Sequence, residues 1–202
     1  MDDWGDRLKR VPGLRRAVRL ALSPFRRPRP ISPRDQWTRW AIEHPAAAPR
    51  MTAALSLLEP AAGVVCDLGC GPQVLRGRLP PGAGYLPVDV VDWSPDTVVC
   101  DLNAGLPDCV AGADWVFALG VVEYLDDPSA LLAQAARHPA RWIVSYAESA
   151  RPRRPPPNDR TRRTNYLTLA AFERLLVSAG YAVEARAPVH ARCQVWRARP
   201  PG

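Results

Sequence analysis

A chain of 202 residues fits one domain of roughly 100 to 200 residues with an appendage, and is long enough to bury a real core. No apolar stretch approaches the ~20 residues needed to cross a bilayer, and the N-terminus lacks the apolar segment and small-residue cleavage site of a secretory signal, so the expected location is the cytoplasm. The five cysteines (Cys66, Cys70, Cys100, Cys109, Cys193) have no paired CxxC spacing and the three histidines (His44, His138, His190) lie far apart, which argues against a disulfide framework and against any metal site.

The net charge of +7 is unevenly spread. Residues 1–50 hold 12 basic and 5 acidic side chains, residues 51–147 hold 4 and 11, and residues 148–202 hold 11 and 4. An acidic centre is therefore flanked by basic arms. All but one of the 27 basic residues are arginine and proline is also abundant, a pattern that genome composition bias explains in part, so the pI of 9.6 is discounted as evidence for a partner.

In chain order, Leu8, Val11, Leu14, Val18, Leu22 and Phe25 alternate with arginines before the proline-rich SPFRRPRPISP. Residues 1–35 thus read as a basic amphipathic helix, from Gly13 to Ser23, followed by an extended linker. The helix either caps the domain or touches anionic lipid or an acidic partner protein. The domain itself is expected over 36–202. A helix from Pro49 to Leu58 puts Met51, Leu55 and Leu58 on one face.

GVVCDLG is a short, nearly continuous apolar run of the kind buried on both faces of a parallel sheet, in which Cys66 and Cys70 read as buried apolar residues. GYLPVDV, TVVCDLN (with Cys100 read the same way), ADWVFALG and RWIVSYA are similar. Between the last two, DDPSALLAQAARH predicts a helix capped by Asp127, opened by Pro128 and packed through Leu131, Leu132 and Ala135. After an arginine-rich loop at 150–165, LTLAAFERLLVSAG predicts a second helix with Thr168 as N-cap, Leu169, Phe172, Leu176 and Ala179 as its apolar stripe and Gly180 as its stop. YAVEARAPV and RCQVWRA have no helix between them and should pair as an antiparallel edge hairpin, with His190 between them. The fold class is α/β: a doubly wound, Rossmann-like, mostly parallel seven-stranded sheet with an antiparallel C-terminal edge hairpin, its ligand beyond the carboxyl ends of the strands.

The chemistry concentrates after the first strand. Asp67 ends it, Gly69 and Gly71 permit a tight turn with close backbone approach, and Pro72 is expected to open a helix whose free N–H groups face a ligand. A dinucleotide fingerprint would need a third glycine at the position of Val74, and Gly77 and Pro80 cut the following helix short. That weakens a nicotinamide or flavin reading.

Together these residues resemble those of the class I S-adenosylmethionine-dependent methyltransferases over about residues 49–198. The resemblance implies that DLGCG (Asp67, Leu68, Gly69, Cys70, Gly71) wraps the amino-acid moiety of S-adenosylmethionine. It implies that Asp89, with Val90, accepts the ribose hydroxyls, and that Asp101 and Leu102 meet the adenine. VFALGVVEYLDDP is similar to the family's fourth strand and its exit, placing Leu119 and Gly120 at the cofactor and Tyr124 where histidine is common. Carboxylates at strand ends suit a sulfonium cation with vicinal hydroxyls better than an anionic pyrophosphate. Methyl transfer is an in-line displacement from an activated leaving group, so alignment and water exclusion are the main demands on the protein.

Where the acceptor needs a base, the candidates are Glu123, Tyr124, Tyr146 and Glu148. Glu123 equally suits a supporting role in its loop. Arg163, Asn165, Tyr166 and Tyr146 are candidates to line the acceptor site, and the arginines of the 150–165 loop (Arg151, Arg153, Arg154, Arg160, Arg162, Arg163) would bind an acidic or phosphorylated acceptor or stay solvated. The expected function is methylation of a small molecule or saccharide precursor on oxygen or nitrogen. One alternative is an RNA or protein methyltransferase using the basic arms, disfavoured for nucleic acid because the arms lack interleaved aromatics beyond Trp37, Trp40 and Tyr166. Another is an inactive scaffold or regulatory partner of the same fold.

Overall fold

The computed structural model describes residues 47–60, 63–149 and 163–202. The basic helix expected within residues 1–35, together with Trp37, Trp40, His44 and the arginines from Arg151 to Arg162, lies outside them. Seven strands form one sheet: β1 (Val64–Leu68), β2 (Gly84–Asp89), β3 (Val98–Val99), β4 (Trp115–Ala118), β5 (Arg141–Ala147), β6 (Ala182–His190) and β7 (Cys193–Arg199), in the order β3-β2-β1-β4-β5-β7-β6. The first five run parallel. β7 inserts antiparallel between β5 and the edge strand β6, the C-terminal pair the sequence predicts. His190 closes β6, and its Nδ1 accepts from the Arg192 N–H at 3.2 Å across the turn.

Strand alternation sorts side chains onto two faces. Cys66, Leu68, Val116, Ala118, Trp142, Val144 and Trp196 face one core, covered by α2 (Pro128–Ala135) and α3 (Leu169–Ser178). Val65, Trp115, Phe117, Ile143 and Val195 face the other, covered by α1 (Ala47–Leu55). Both predicted caps are made: the Asp127 carboxylate accepts from Ser129 N and Ala130 N, and Thr168 Oγ1 accepts from Ala171 N. Gly180 takes a φ of +91° where α3 stops, a conformation in which glycine meets no Cβ penalty. Phe172 stacks on Tyr146 at 4.9 Å and meets Trp196 edge-on at 5.1 Å, fixing α3 to the sheet.

Three expectations are corrected. No α-helix follows β1: the bonds Gln73 N–H to Cys70 O, Arg76 N–H to Gln73 O and Arg78 N–H to Leu75 O all span three residues, and only a single 3-10 turn, Arg76–Arg78, forms. Gln73 has a φ of +58°, and too few residues separate Pro72 from Gly77 and Pro80 to nucleate a longer helix. The first helix is Ala47–Leu55 rather than 49–58, because Leu57 and Leu58 bond three residues back and tighten its end. Pro49 still falls in the first turn, where its missing N–H costs nothing. Cys100 is only half-buried, at the end of the two-residue β3, whereas Cys66 and Cys70 are buried.

Candidate functional site at the carboxyl ends of the parallel strands

The turn after β1 is sewn to the end of β2. Gly69 and Cys70 N–H groups both donate to Val88 O, at 2.8 and 3.0 Å, and Gly71 N–H donates to Asp89 Oδ2 at 2.9 Å. Gly69 and Gly71 have φ values of +71° and +51°, and a Cβ on Gly69 would collide with Val121 Cγ2. Asp89 is 9% exposed, and its other oxygen accepts from Val91 N–H at 2.9 Å.

Asp67, 5% exposed and the penultimate residue of β1, accepts from the Tyr85 hydroxyl at 2.7 Å. Burial pushes its carboxyl up to about 7. The Tyr85 hydrogen bond opposes that shift and the charge of Asp89 adds to it. Among the described residues, neither Asp67 nor Asp89 forms an ion pair with a basic side chain. Two buried carboxylates without a counter-charge suit a cationic, hydroxyl-rich group and disfavour an anionic one. Burial, reinforced by the same two carboxylates, also pushes the Cys70 thiol up and keeps it neutral. Beside Asp89, the Val90 and Val99 side chains are 57% and 60% exposed, an apolar surface at the strand ends. Asp101 is exposed and accepts from Asn103 N–H at 2.9 Å, while Leu102 is buried beneath it.

A second network lies beyond β4 and β5. Gly120, φ +71°, donates its N–H to Ser145 Oγ at 2.9 Å, and Leu119 beside it is half-buried. In the 3-10 turn Val122–Tyr124, Glu123 is 2% exposed; Oε1 accepts from Ala147 N–H at 2.8 Å and lies 3.9 Å from Arg163 Nη2, while Oε2 is buried without a partner. Arg163 Nη2 donates to Ala147 O at 2.6 Å, and the guanidinium sits over the rings of Tyr146 and Tyr166. Asn165 donates to Val122 O and Leu125 O at 2.6 and 3.0 Å and accepts from the Tyr146 hydroxyl at 2.7 Å; that hydroxyl in turn accepts from Leu167 N–H at 2.8 Å. The Tyr166 hydroxyl donates to Arg163 O at 3.2 Å.

The structure thus brings Tyr146, Arg163, Asn165 and Tyr166 together and turns their polar atoms onto one another. The Tyr146 hydroxyl is fully buried and its donor and acceptor capacities are both used inside the chain. Glu148 Oε1 accepts from Leu169 N–H at 2.5 Å and caps α3. Burial, then the charge of Glu123, raises the Tyr124 phenol to about 12, against the opposing charges of Arg163 and Arg50, so it stays protonated at neutral pH. Sequence reasoning missed Tyr85, Ser145, Arg50 and Cys193. Tyr85 carries the only local hint, an aromatic with a polar tip inside an otherwise apolar strand.

No protein-family model and no curated protein sequence matches the chain. Solved structures do. The 1,6-didemethyltoxoflavin-N1-methyltransferase of Burkholderia thailandensis, with 1,6-didemethyltoxoflavin and S-adenosylhomocysteine bound, is 21% identical over 93% of this chain and 90% of its own, with a TM-score of 0.63. A SAM-dependent methyltransferase from Aquifex aeolicus is 17% identical over 82% of this chain and 97% of its own, TM-score 0.59. CalO1, a methyltransferase of calicheamicin biosynthesis in its SAH-bound form, is 22% identical over 79% of this chain, TM-score 0.57; this chain spans about half of it, 55%. The chain has the Rossmann-like fold of the class I S-adenosylmethionine-dependent methyltransferases.

Proposed function

We propose that the protein is an S-adenosylmethionine-dependent methyltransferase acting on a small-molecule acceptor. The observation that carries this reading is the pair of buried carboxylates, Asp67 and Asp89, without a counter-charge among the described residues, beside a glycine turn bonded to the end of β2. Its support from comparison is the shared fold with methyltransferases whose acceptors are small molecules, the bacterial toxoflavin precursor among them.

In this reading Leu68, Gly69, Cys70 and Gly71 pass close to the methionine moiety, and Asp89, with Val90, offers its remaining lone pairs to the ribose hydroxyls. Asp101 and Leu102 flank the adenine, and Leu119 and Gly120 form the floor. When bound, S-adenosylmethionine supplies a methyl group on a sulfonium centre. Asp67 and Asp89 favour that positive charge electrostatically. The chain's further task is to align the acceptor and exclude water.

The same residues sort the candidate bases. Glu123, Tyr146, Arg163 and Asn165 position the 163–168 segment, Glu148 caps α3, and the protonated Tyr124 is a donor or steric guide rather than a base. Methyl transfer to an acceptor that ionises on its own, or already carries a lone pair, fits a site so arranged.

The test is calorimetric titration with S-adenosylmethionine and S-adenosylhomocysteine of wild type and Asp89→Ala. Saturable binding that the substitution weakens by about 1.5–3 kcal/mol supports the site. The absence of the helix after β1 favours a second reading, a scaffold of the same fold; well-folded wild type that binds neither ligand would transfer the weight to it.

A further inference from the structure

Arg50 is the fourth residue of α1, and its side chain reaches the strand ends. Its Nη1 occupies the place a Cβ on Gly120 would take, so the guanidinium meets the exit of β4 in a space only glycine leaves. Its Nε is buried without a hydrogen-bond partner, and among the described residues the group forms no ion pair. Its polar neighbours are the fully buried thiol of Cys193 and the Tyr124 phenol, neither a counter-charge at neutral pH. Arg163 stands nearby, also acting on Cys193 and Tyr124, with Nη1 buried and unpartnered and, among the described residues, the Glu123 carboxylate 3.9 Å away as its one ion-pair partner. Among the described residues the two guanidiniums have Glu123 as their one close carboxylate, in contrast to the acidic ends of β1 and β2; Glu148, which also acts on Tyr146, is spent on Leu169 N–H.

We propose that the Arg50 guanidinium anchors an anionic group, a carboxylate or phosphate, carried by the acceptor molecule, with Arg163 reinforcing the field. A guanidinium held partly out of water with no counter-charge is costly unless a ligand supplies one, and its planar fork matches both oxyanions. Arg50 is only half-buried, so an incoming group can reach it. Arg50 stands where the two sites would meet: Gly120 belongs to the cofactor floor read above, but Cys193, the guanidinium's other neighbour, opens β7 opposite Ala147 of β5, on the far side of β4 from the ends of β1, β2 and β3 that carry Asp67, Asp89 and Asp101, and that side favours the acceptor. The proposal gives the substrate class of the methyltransferase reading above and rests on it.

The probes are 4-hydroxybenzoate, phenyl phosphate and the neutral 4-hydroxybenzamide, with binding followed by ligand-observed NMR and calorimetry in the presence and absence of S-adenosylhomocysteine. The proteins are the full chain as wild type, Arg50→Met, Arg50→Lys and Gly120→Ala, each checked by thermal melting. The expected result is a preference of about tenfold or more for the anionic probes in wild type, lost in Arg50→Met and partly kept in Arg50→Lys. Should Arg50→Met fail to fold, Arg50→Lys and the crowded Gly120→Ala carry the comparison. An equal preference in wild type and variants, or none in wild type, overturns the proposal. So does a variant that weakens S-adenosylhomocysteine about tenfold but leaves 5′-methylthioadenosine, which lacks the amino-acid moiety, unaffected: Arg50 would then hold the cofactor's carboxylate. Wild type that prefers the anions through Arg50 yet binds no S-adenosylhomocysteine keeps the anchor and removes the methyltransferase reading.

Discussion

Tyr146→Phe separates a positioning hydroxyl from a reacting one. The substitution removes one oxygen, keeps the ring volume and preserves the 4.9 Å stack on Phe172. It strips the donor from Asn165 Oδ1 and the acceptor from Leu167 N–H, bonds of 2.7 and 2.8 Å in the wild type. A buried polar group left unsatisfied costs about 1–3 kcal/mol. Asn165 and Leu167 are half-buried, so water recovers part of the loss, and the expected destabilisation is about 2 kcal/mol for the pair. For a domain of this size that lowers Tm by about 4–8 °C.

Urea unfolding followed by circular dichroism should move the midpoint at constant m-value. Asn165→Ala should cost a similar amount, with the double variant losing less than the sum because both singles break one network. S-adenosylhomocysteine affinity should stay within about threefold of wild type. Unchanged stability, below about 0.5 kcal/mol, combined with lost turnover would refute the reasoning and return the hydroxyl to the reacting atoms.

Two further outcomes follow from the buried polar groups. The Tyr181 hydroxyl is buried without a partner and its ring meets Trp142 edge-on, so Tyr181→Phe should stabilise the protein by about 1 kcal/mol in the same assay; a loss of more than about 0.5 kcal/mol would mean the hydroxyl is bonded after all. Asp67 has a folded pKa of about 7 against an ordinary value of 3.8, so the folded state binds its proton more tightly and the stability this supplies is present below about pH 4 and drains away as pH rises to about 7. Unfolding free energy measured across that window should fall by a few kcal/mol in wild type and change less in Asp67→Asn, while preference for the cationic S-adenosylmethionine over the neutral product should grow with pH. A flat wild-type profile would show that Asp67 titrates normally.

Local chemistry made much of the fold readable. The Asp127 and Thr168 caps, the Gly180 stop and the paired C-terminal strands each depend on residues within a few positions, and each is found where the sequence predicts it. The helix expected after Gly71 does not form, because Pro72 suits a first turn but says nothing of whether enough residues follow to repay its nucleation.

The residues that converge at the strand ends were legible as a set, since they follow apolar runs in a regular order. Their orientations were not. Asn165 finds Val122 at a separation of 43 residues, Tyr146 finds Asn165 at 19 and Asp67 finds Tyr85 at 18, while Arg50 crosses from a helix to Gly120 in the bend after β4. By itself, then, the sequence determined the strands, the caps and the acidic positions at the strand ends, because these follow from periodicity and short-range hydrogen bonding. Only the tertiary structure decided which polar side chains are spent on each other and which, like Arg50 and the buried carboxylates, have no counter-charge among the described residues: that choice depends on which groups burial brings within bonding distance and which it leaves unpaired.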